Sequence, residues 1–140
     1  MGPTIQIAFD AADPTALAAF WKEMLDYVDP PPPPGHDSWA DWLQANDIGP
    51  ERWNDVRVIV DPEERRPRIY IQRVPEPKSA KNRVHIDLNL GDSDGERAAQ
   101  LEAAVAKAEG LGARRVWEKT EFGVHWVTLT DPEGNEFCMA

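Results

Sequence analysis

Short stretches of strict apolar–polar alternation are separated along this chain by stretches in which apolar residues return every three or four positions. Ile5-Gln6-Ile7-Ala8-Phe9 alternates with period two and predicts a strand. Asp13 then offers a helix cap, and Pro14 suits the first helical position. From Pro14 to Leu25, the residues Leu17, Phe20, Trp21, Met24 and Leu25 share one helical face, so this helix should cover a sheet. Val56–Val60 and Arg68–Val74 read as strands joined through Asp61-Pro62-Glu63. Val84–Leu90 alternates again, and Asp92-Ser93-Asp94 supplies caps for a second helix reaching about Leu111, with Leu101, Val105 and Ala108 as its buried stripe and Gly110 and Gly112 as its stop. Ala113–Glu118 and Val124–Thr130 follow as strands, and Asp131-Pro132-Glu133-Gly134 turns into a last strand through Met139.

The order strand, helix, strands therefore occurs twice. Its clearest internal echo is the Asp-Pro-Glu turn, which begins at Asp61 and returns at Asp131, half the chain later. These signals predict an α+β fold, read as one domain over residues 1–140 with modules of about 1–75 and 81–140 and a rigid polar linker over 75–82. Pro30 to Pro34 cannot donate ladder hydrogen bonds and reads as a polyproline-like connection or an edge segment. After it, Asp37 or Ser38 caps a short helix carrying Trp39, Trp42 and Leu43, which reads as an insertion near a pocket mouth.

Composition narrows the partners. Hydrophobic residues make up 41% of the 140 and charged ones 29%, as in ordinary globular domains. A formal charge of −10 repels nucleic acid and anionic membrane surfaces, which leaves a small molecule as the expected partner. No basic leader or long apolar run precedes the first strand, so a cytoplasmic location is expected. Cys138 is the only cysteine, so the fold must hold by packing, alone or as a small oligomer such as a homodimer.

Alternation also says which side chains look away from the helices. If Ile5, Ile7 and Phe9 pack on the first helix, Gln6 faces the other way; Ile69 and Ile71 likewise leave Tyr70 and Gln72. Val84, Ile86, Leu88 and Leu90 form one apolar face, so Arg83, His85, Asp87 and Asn89 form the opposite one, and Phe137 and Met139 turn Cys138 to that side. A sheet with a polar concave side and an apolar convex side suits a ligand cup. His85 and Asp87, two apart on one strand face, suit an acid–base pair, with an Asp87–Arg83 ion pair as the structural alternative. Trp39, Trp42, Trp53 and Trp126 are candidates for an aromatic wall over a flat or apolar ligand, although most tryptophans fill cores or rims.

The run from Val74 through Lys78, then Lys81-Asn82-Arg83-Val84-His85-Ile86-Asp87, and the closing Asp131-Pro132-Glu133-Gly134-Asn135-Glu136-Phe137-Cys138 are similar to those of actinobacterial glyoxalase-like proteins of the vicinal-oxygen-chelate superfamily. That resemblance spans nearly the whole chain and implies two βαβββ modules curled into a cup around one pocket. In metal-dependent members it implies four ligands, and Gln6 and His85 match two of those positions. The fourth strand offers Tyr70 or Gln72, and the eighth Cys138, where carboxylates are implied. With both acids missing, the expected cofactor is none, the alternative being a softer divalent metal on Gln6, His85 and Cys138. Metal-dependent glyoxalase I activity is accordingly not expected. Two functions compete: an enzyme of the lyase, isomerase or dioxygenase type working at His85 and Asp87, and a protein of the bleomycin-resistance type that sequesters its ligand without chemistry. Gln6, Tyr70, Gln72, Arg83, Asn89, Trp42, Trp53 and Trp126 are the residues expected to bind the ligand in either case.

Overall fold

The computed structural model describes residues 2–91 and 96–140. It divides into two compact units, Met1–Glu76 and Pro77–Ala140, and each packs a helix on its own small sheet. The Asp92-Ser93-Asp94 cap expected for the second long helix lies outside the described residues.

The first unit holds β1 (Gln6–Ala11), α1 (Pro14–Leu25), α2 (Trp39–Ala45), a 3₁₀ turn (Pro50–Arg52), β2 (Val56–Ile59) and β3 (Arg68–Arg73). Asp13 caps α1 by accepting the Ala16 N–H at 3.2 Å, with Pro14 at the first turn. Asn54 reinforces that end from across the unit: its amide donates to Asp13 at 2.9 Å, and its carbonyl accepts the Thr15 N–H at 2.8 Å. Leu17, Ala18, Phe20 and Trp21 are buried against Ile59, Ile69 and Ile71, each large side chain contributing about 1.5–3 kcal/mol. Phe9 joins this layer by stacking on Trp21 at 5.6 Å. Ile5, expected on the same face, lies before the strand and is 73% exposed.

The sheet order is β1-β3-β2, with β1 parallel and β2 antiparallel to β3. Where a further strand would run beside β2, the chain makes only one bridge, between Val28 and Val60. The proline run begins two residues later, and its missing N–H groups account for the lack of a longer ladder. Ser38 caps α2 by accepting the Asp41 N–H at 3.0 Å, and the Trp39 indole N–H donates to the Pro30 carbonyl at 2.7 Å.

The second unit holds β4 (Ile86–Leu88), α3 (Arg97–Gly110), β5 (Arg114–Glu121), β6 (Val124–Thr130) and β7 (Glu136–Met139) in the sheet order β4-β7-β6-β5. The β4–β7 pair is parallel and the others are antiparallel. Leu101, Val105 and Ala108 of α3 are buried, as are Val127, Leu129, Phe137 and Met139 of the sheet. β4 is shorter than its alternation predicts, and Val84, expected on the apolar face, is 86% exposed. It precedes the strand, where no pleat dictates its direction. No helix among the described residues is long and apolar enough to cross a membrane.

The repeated Asp-Pro-Glu motif is one turn built twice. The Asp61 carbonyl accepts the Glu64 N–H at 3.0 Å, and the Asp131 carbonyl accepts the Gly134 N–H at 2.9 Å. The fourth residue is left-handed in both turns, with φ of 54° at Glu64 and 86° at Gly134. Both aspartates are 3% exposed. Asp61 accepts the N–H groups of Glu63, Arg65 and Arg66 and the Arg66 guanidinium, while Asp131 accepts the N–H groups of Glu133 and Asn135 and the Asn135 amide.

The Arg66 guanidinium, helped by those backbone donors against the opposing effect of burial, holds the Asp61 carboxyl far below its usual range. A carboxyl whose folded pKa lies below its unfolded value of about 3.9 stabilises fully above that value, and the stabilisation drains away as pH falls toward the folded one. The thermal midpoint should therefore drop between about pH 5 and pH 2, and Asp61→Asn should flatten that drop in circular dichroism melts. Identical pH profiles for the two proteins would refute the assignment. Asp131→Ala, which strands its donors, should cost about 2 kcal/mol in urea unfolding.

Candidate functional site

On the face of the second sheet that points away from α3, side chains from all four strands converge on a cavity of about 440 Å³, a volume that suits a small-molecule ligand. His85, Asp87 and Asn89 line it from β4 and its flanks, Cys138 from β7, and Thr128 and Trp126 from β6. Trp117 of β5 completes the aromatic side. The ladder explains the convergence, because Asp87 is paired with Cys138, Cys138 with Thr128, and Thr128 with Trp117. Directly paired residues share a face.

Within this row, His85 Nδ1 lies 2.9 Å from Asp87 Oδ1. Cys138 Sγ lies 3.3 Å from Thr128 Oγ1. One donor atom from each of His85, Asp87 and Cys138 falls within 4.8 Å of the others. Burial pushes the Cys138 thiol above its ordinary range, and the nearby Asp87 charge adds to that against the Thr128 hydroxyl and Lys81. The thiol is therefore neutral at neutral pH and is a poor nucleophile.

The segment leading into β4 is tied down by Glu136, which also lines the cavity. Its carboxylate accepts the Asn82 N–H at 2.9 Å and meets Lys78 Nζ at 3.3 Å. Burial pushes the Glu136 carboxyl up, but the Asn82 N–H, its own backbone N–H and Lys78 together outweigh that and hold the group below its ordinary value. Lys81 brings a positive charge to the same rim.

Of the residues picked from the sequence, the structure brings His85, Asp87, Asn89, Trp126 and Cys138 into this cavity. Asp87 meets His85 rather than standing apart from it. Arg83 is exposed in the loop before β4. Gln6, Tyr70, Gln72, Trp42 and Trp53 belong to the first unit. There Gln6 is opposite Arg68, and Tyr70 is opposite Ala8 and Val58. Gln72 donates to Asp10 at 2.8 Å, and the Trp53 indole donates to the Ile48 carbonyl at 2.9 Å.

Trp117 is the main residue that sequence reasoning missed. Plain alternation puts it on the same face as Arg115, which reaches Glu102 and Glu109 on α3. A register shift between Arg115 and Trp117 breaks that parity, so Arg115 opposes Leu129 while Trp117 opposes Thr128. The extra residue, Val116, re-aims the indole into the cavity.

The model of the glyoxalase-like domain family matches residues 6–140. No curated protein matches the chain significantly. Among solved structures, a glyoxalase/bleomycin resistance protein/dioxygenase family enzyme from Burkholderia phytofirmans PsJN is 16% identical, covers 96% of this chain and 94% of its own, and has a TM-score of 0.62. A possible glyoxalase from Bacillus cereus is 13% identical, with coverage of 99% and 98% and a TM-score of 0.63. A mutant of the fosfomycin resistance protein FosX from Listeria monocytogenes, in complex with manganese(II) and 1S,2S-dihydroxypropylphosphonic acid, is 10% identical, with coverage of 99% and 89% and a TM-score of 0.64. Identities this low show a shared fold.

A hard ion such as manganese selects oxygen ligands, whereas the atoms clustered here are an imidazole nitrogen, a carboxylate oxygen and a thiol sulfur. The set does not fit a hard ion and has the composition of a zinc site with an open position. Protein purified without metal resin or chelator should therefore carry well under one equivalent of manganese, iron or nickel by elemental analysis. A full equivalent of any of these would overturn that reading.

Proposed function

The chain belongs to the glyoxalase-like domain family, and on that premise we propose that it handles a small molecule in the second unit's cavity, as an enzyme of the lyase, isomerase or dioxygenase type. The His85–Asp87 contact at 2.9 Å is the observation that carries this reading. With Nδ1–H donated to the carboxylate, the imidazole has a preferred tautomer, and Nε2 is its basic atom. A ligand hydroxyl, or a carbon acid beside a carbonyl, would give its proton to Nε2, and Asp87 would stabilise the resulting imidazolium. The neutral Cys138 thiol and Asn89 would act as hydrogen-bonding groups. If zinc were bound instead, His85, Asp87 and a Cys138 thiolate would be its ligands, and the ion would supply Lewis-acid polarisation of a ligand oxygen in place of the His85 base. In this reading the negative chain excludes nucleic acid and membrane as partners.

The two tryptophans favour a second reading, a protein that sequesters its ligand, because an aromatic wall contributes to affinity without contributing to chemistry.

A thermal-shift screen of small carbonyl, phenolic and antibiotic-like compounds, followed by titration of the hits, tests the role of His85. His85→Ala should weaken binding or turnover by about 1–3 kcal/mol with the fold intact, and Cys138→Ser should do less. The opposite order would transfer the leading role to the thiol.

A further inference from the structure

Resting on the reading that this cavity is the working site, we infer that its ligand is a planar, uncharged ring with a hydroxyl or amine on its edge. The cavity has two chemically different sides. Trp117 opposes Thr128 on the ladder and Trp126 opposes Lys119, so the two residues are diagonal neighbours on one sheet face, with backbones roughly 7–8 Å apart, a spacing that aromatic side chains can bridge. That spacing joins them into one wall, and Trp117 remains 44% exposed, so its ring is not consumed by the core. Such a wall rewards a flat π-face over a puckered ring of the same size.

The side formed by β4 and β7 selects by hydrogen bonding. Carboxylate oxygens accept, and with Nδ1–H given to Asp87 the His85 ring has its acceptor at Nε2. A ligand edge that donates is matched there by Asp87 and His85. Charge gives anions no advantage: Asp87 balances Lys81 on the lining, Glu136 and Lys78 pair with each other, and the chain as a whole carries −10. The phosphonic acid bound by the FosX mutant is accordingly a kind of ligand that this cavity does not favour.

Three related compounds separate these features: 2-naphthol is planar with a donor, decahydro-2-naphthol keeps the donor without the flat ring, and 2-naphthalenesulfonate keeps the ring but carries an anion. In calorimetric titration, 2-naphthol should bind at least about tenfold more tightly than either of the others, equivalent to roughly 1.4 kcal/mol. Trp117→Leu should weaken 2-naphthol far more than decahydro-2-naphthol and so abolish the preference for the planar alcohol, and Trp117→Phe, which retains a stacking ring, should preserve most of it. Because Trp117 is partly exposed, both variants are expected to fold, which unchanged melting curves would verify. Equal affinities for the two alcohols, preferred binding of the sulfonate, no detectable binding of 2-naphthol, or equal weakening of both alcohols by Trp117→Leu would each overturn the inference. His85→Ala separates the two levels, since it should weaken both alcohols alike. If it changes neither, the functional reading fails along with the inference. If it weakens both while their affinities are equal, only the planar-ring inference fails.

Discussion

Asp131 is almost fully buried and accepts hydrogen bonds from its own turn: the N–H groups of Glu133 and Asn135 and the Asn135 amide. Those bonds set the register in which β6 meets β7, with Thr128 opposite Cys138 and Leu129 opposite Phe137. A slip of one residue would exchange the two faces, sending Phe137 into the cavity and Cys138 under the helix. β4 then takes its own register from β7, which brings Asp87 beside Cys138. The His85–Asp87–Cys138 cluster thus depends on a turn that contains none of its members.

Much of this was readable from the chain because local and tertiary preferences agree. α1 spans the residues its apolar spacing predicts, and the buried stripe of α3 is Leu101, Val105 and Ala108 as read. The faces of β4 and β7 follow from alternation, since Phe137 and Met139 are buried on one side of β7 while His85, Asp87 and Asn89 line the other side of the sheet. What was not readable lay where alternation stops applying. Ile5 and Val84 sit just outside their strands, and a strand boundary depends on pairing partners far away in sequence. The Val28–Val60 bridge is one pair long and leaves no periodicity to find. Glu136 and Lys81 reach the cavity through contacts between a loop and a strand, which spacing along one segment cannot reveal.

Family membership constrains the scaffold more tightly than the chemistry, because function resides in the side chains that a fold presents. The first unit illustrates this. It repeats the turn of the second, down to the left-handed fourth residue, yet its ladder places Tyr70 between Val58 and Ala8 where the second unit places Cys138 between Thr128 and Asp87. The backbone device was retained in both halves while the side chains diverged.

The bulge at Val116 gives that divergence an unusually short route. Because it decides whether Trp117 or Val116 stands opposite Thr128, losing one residue between Trp117 and the end of β5 would turn the indole to the helix face and leave a valine in its place on the cavity wall. β5 lies at the edge of the sheet, where such a change disturbs one ladder only. A lineage carrying this scaffold can therefore trade a stacking surface for a small aliphatic one by a single codon lost, so ligand preference can change in one step between relatives that otherwise align without gaps.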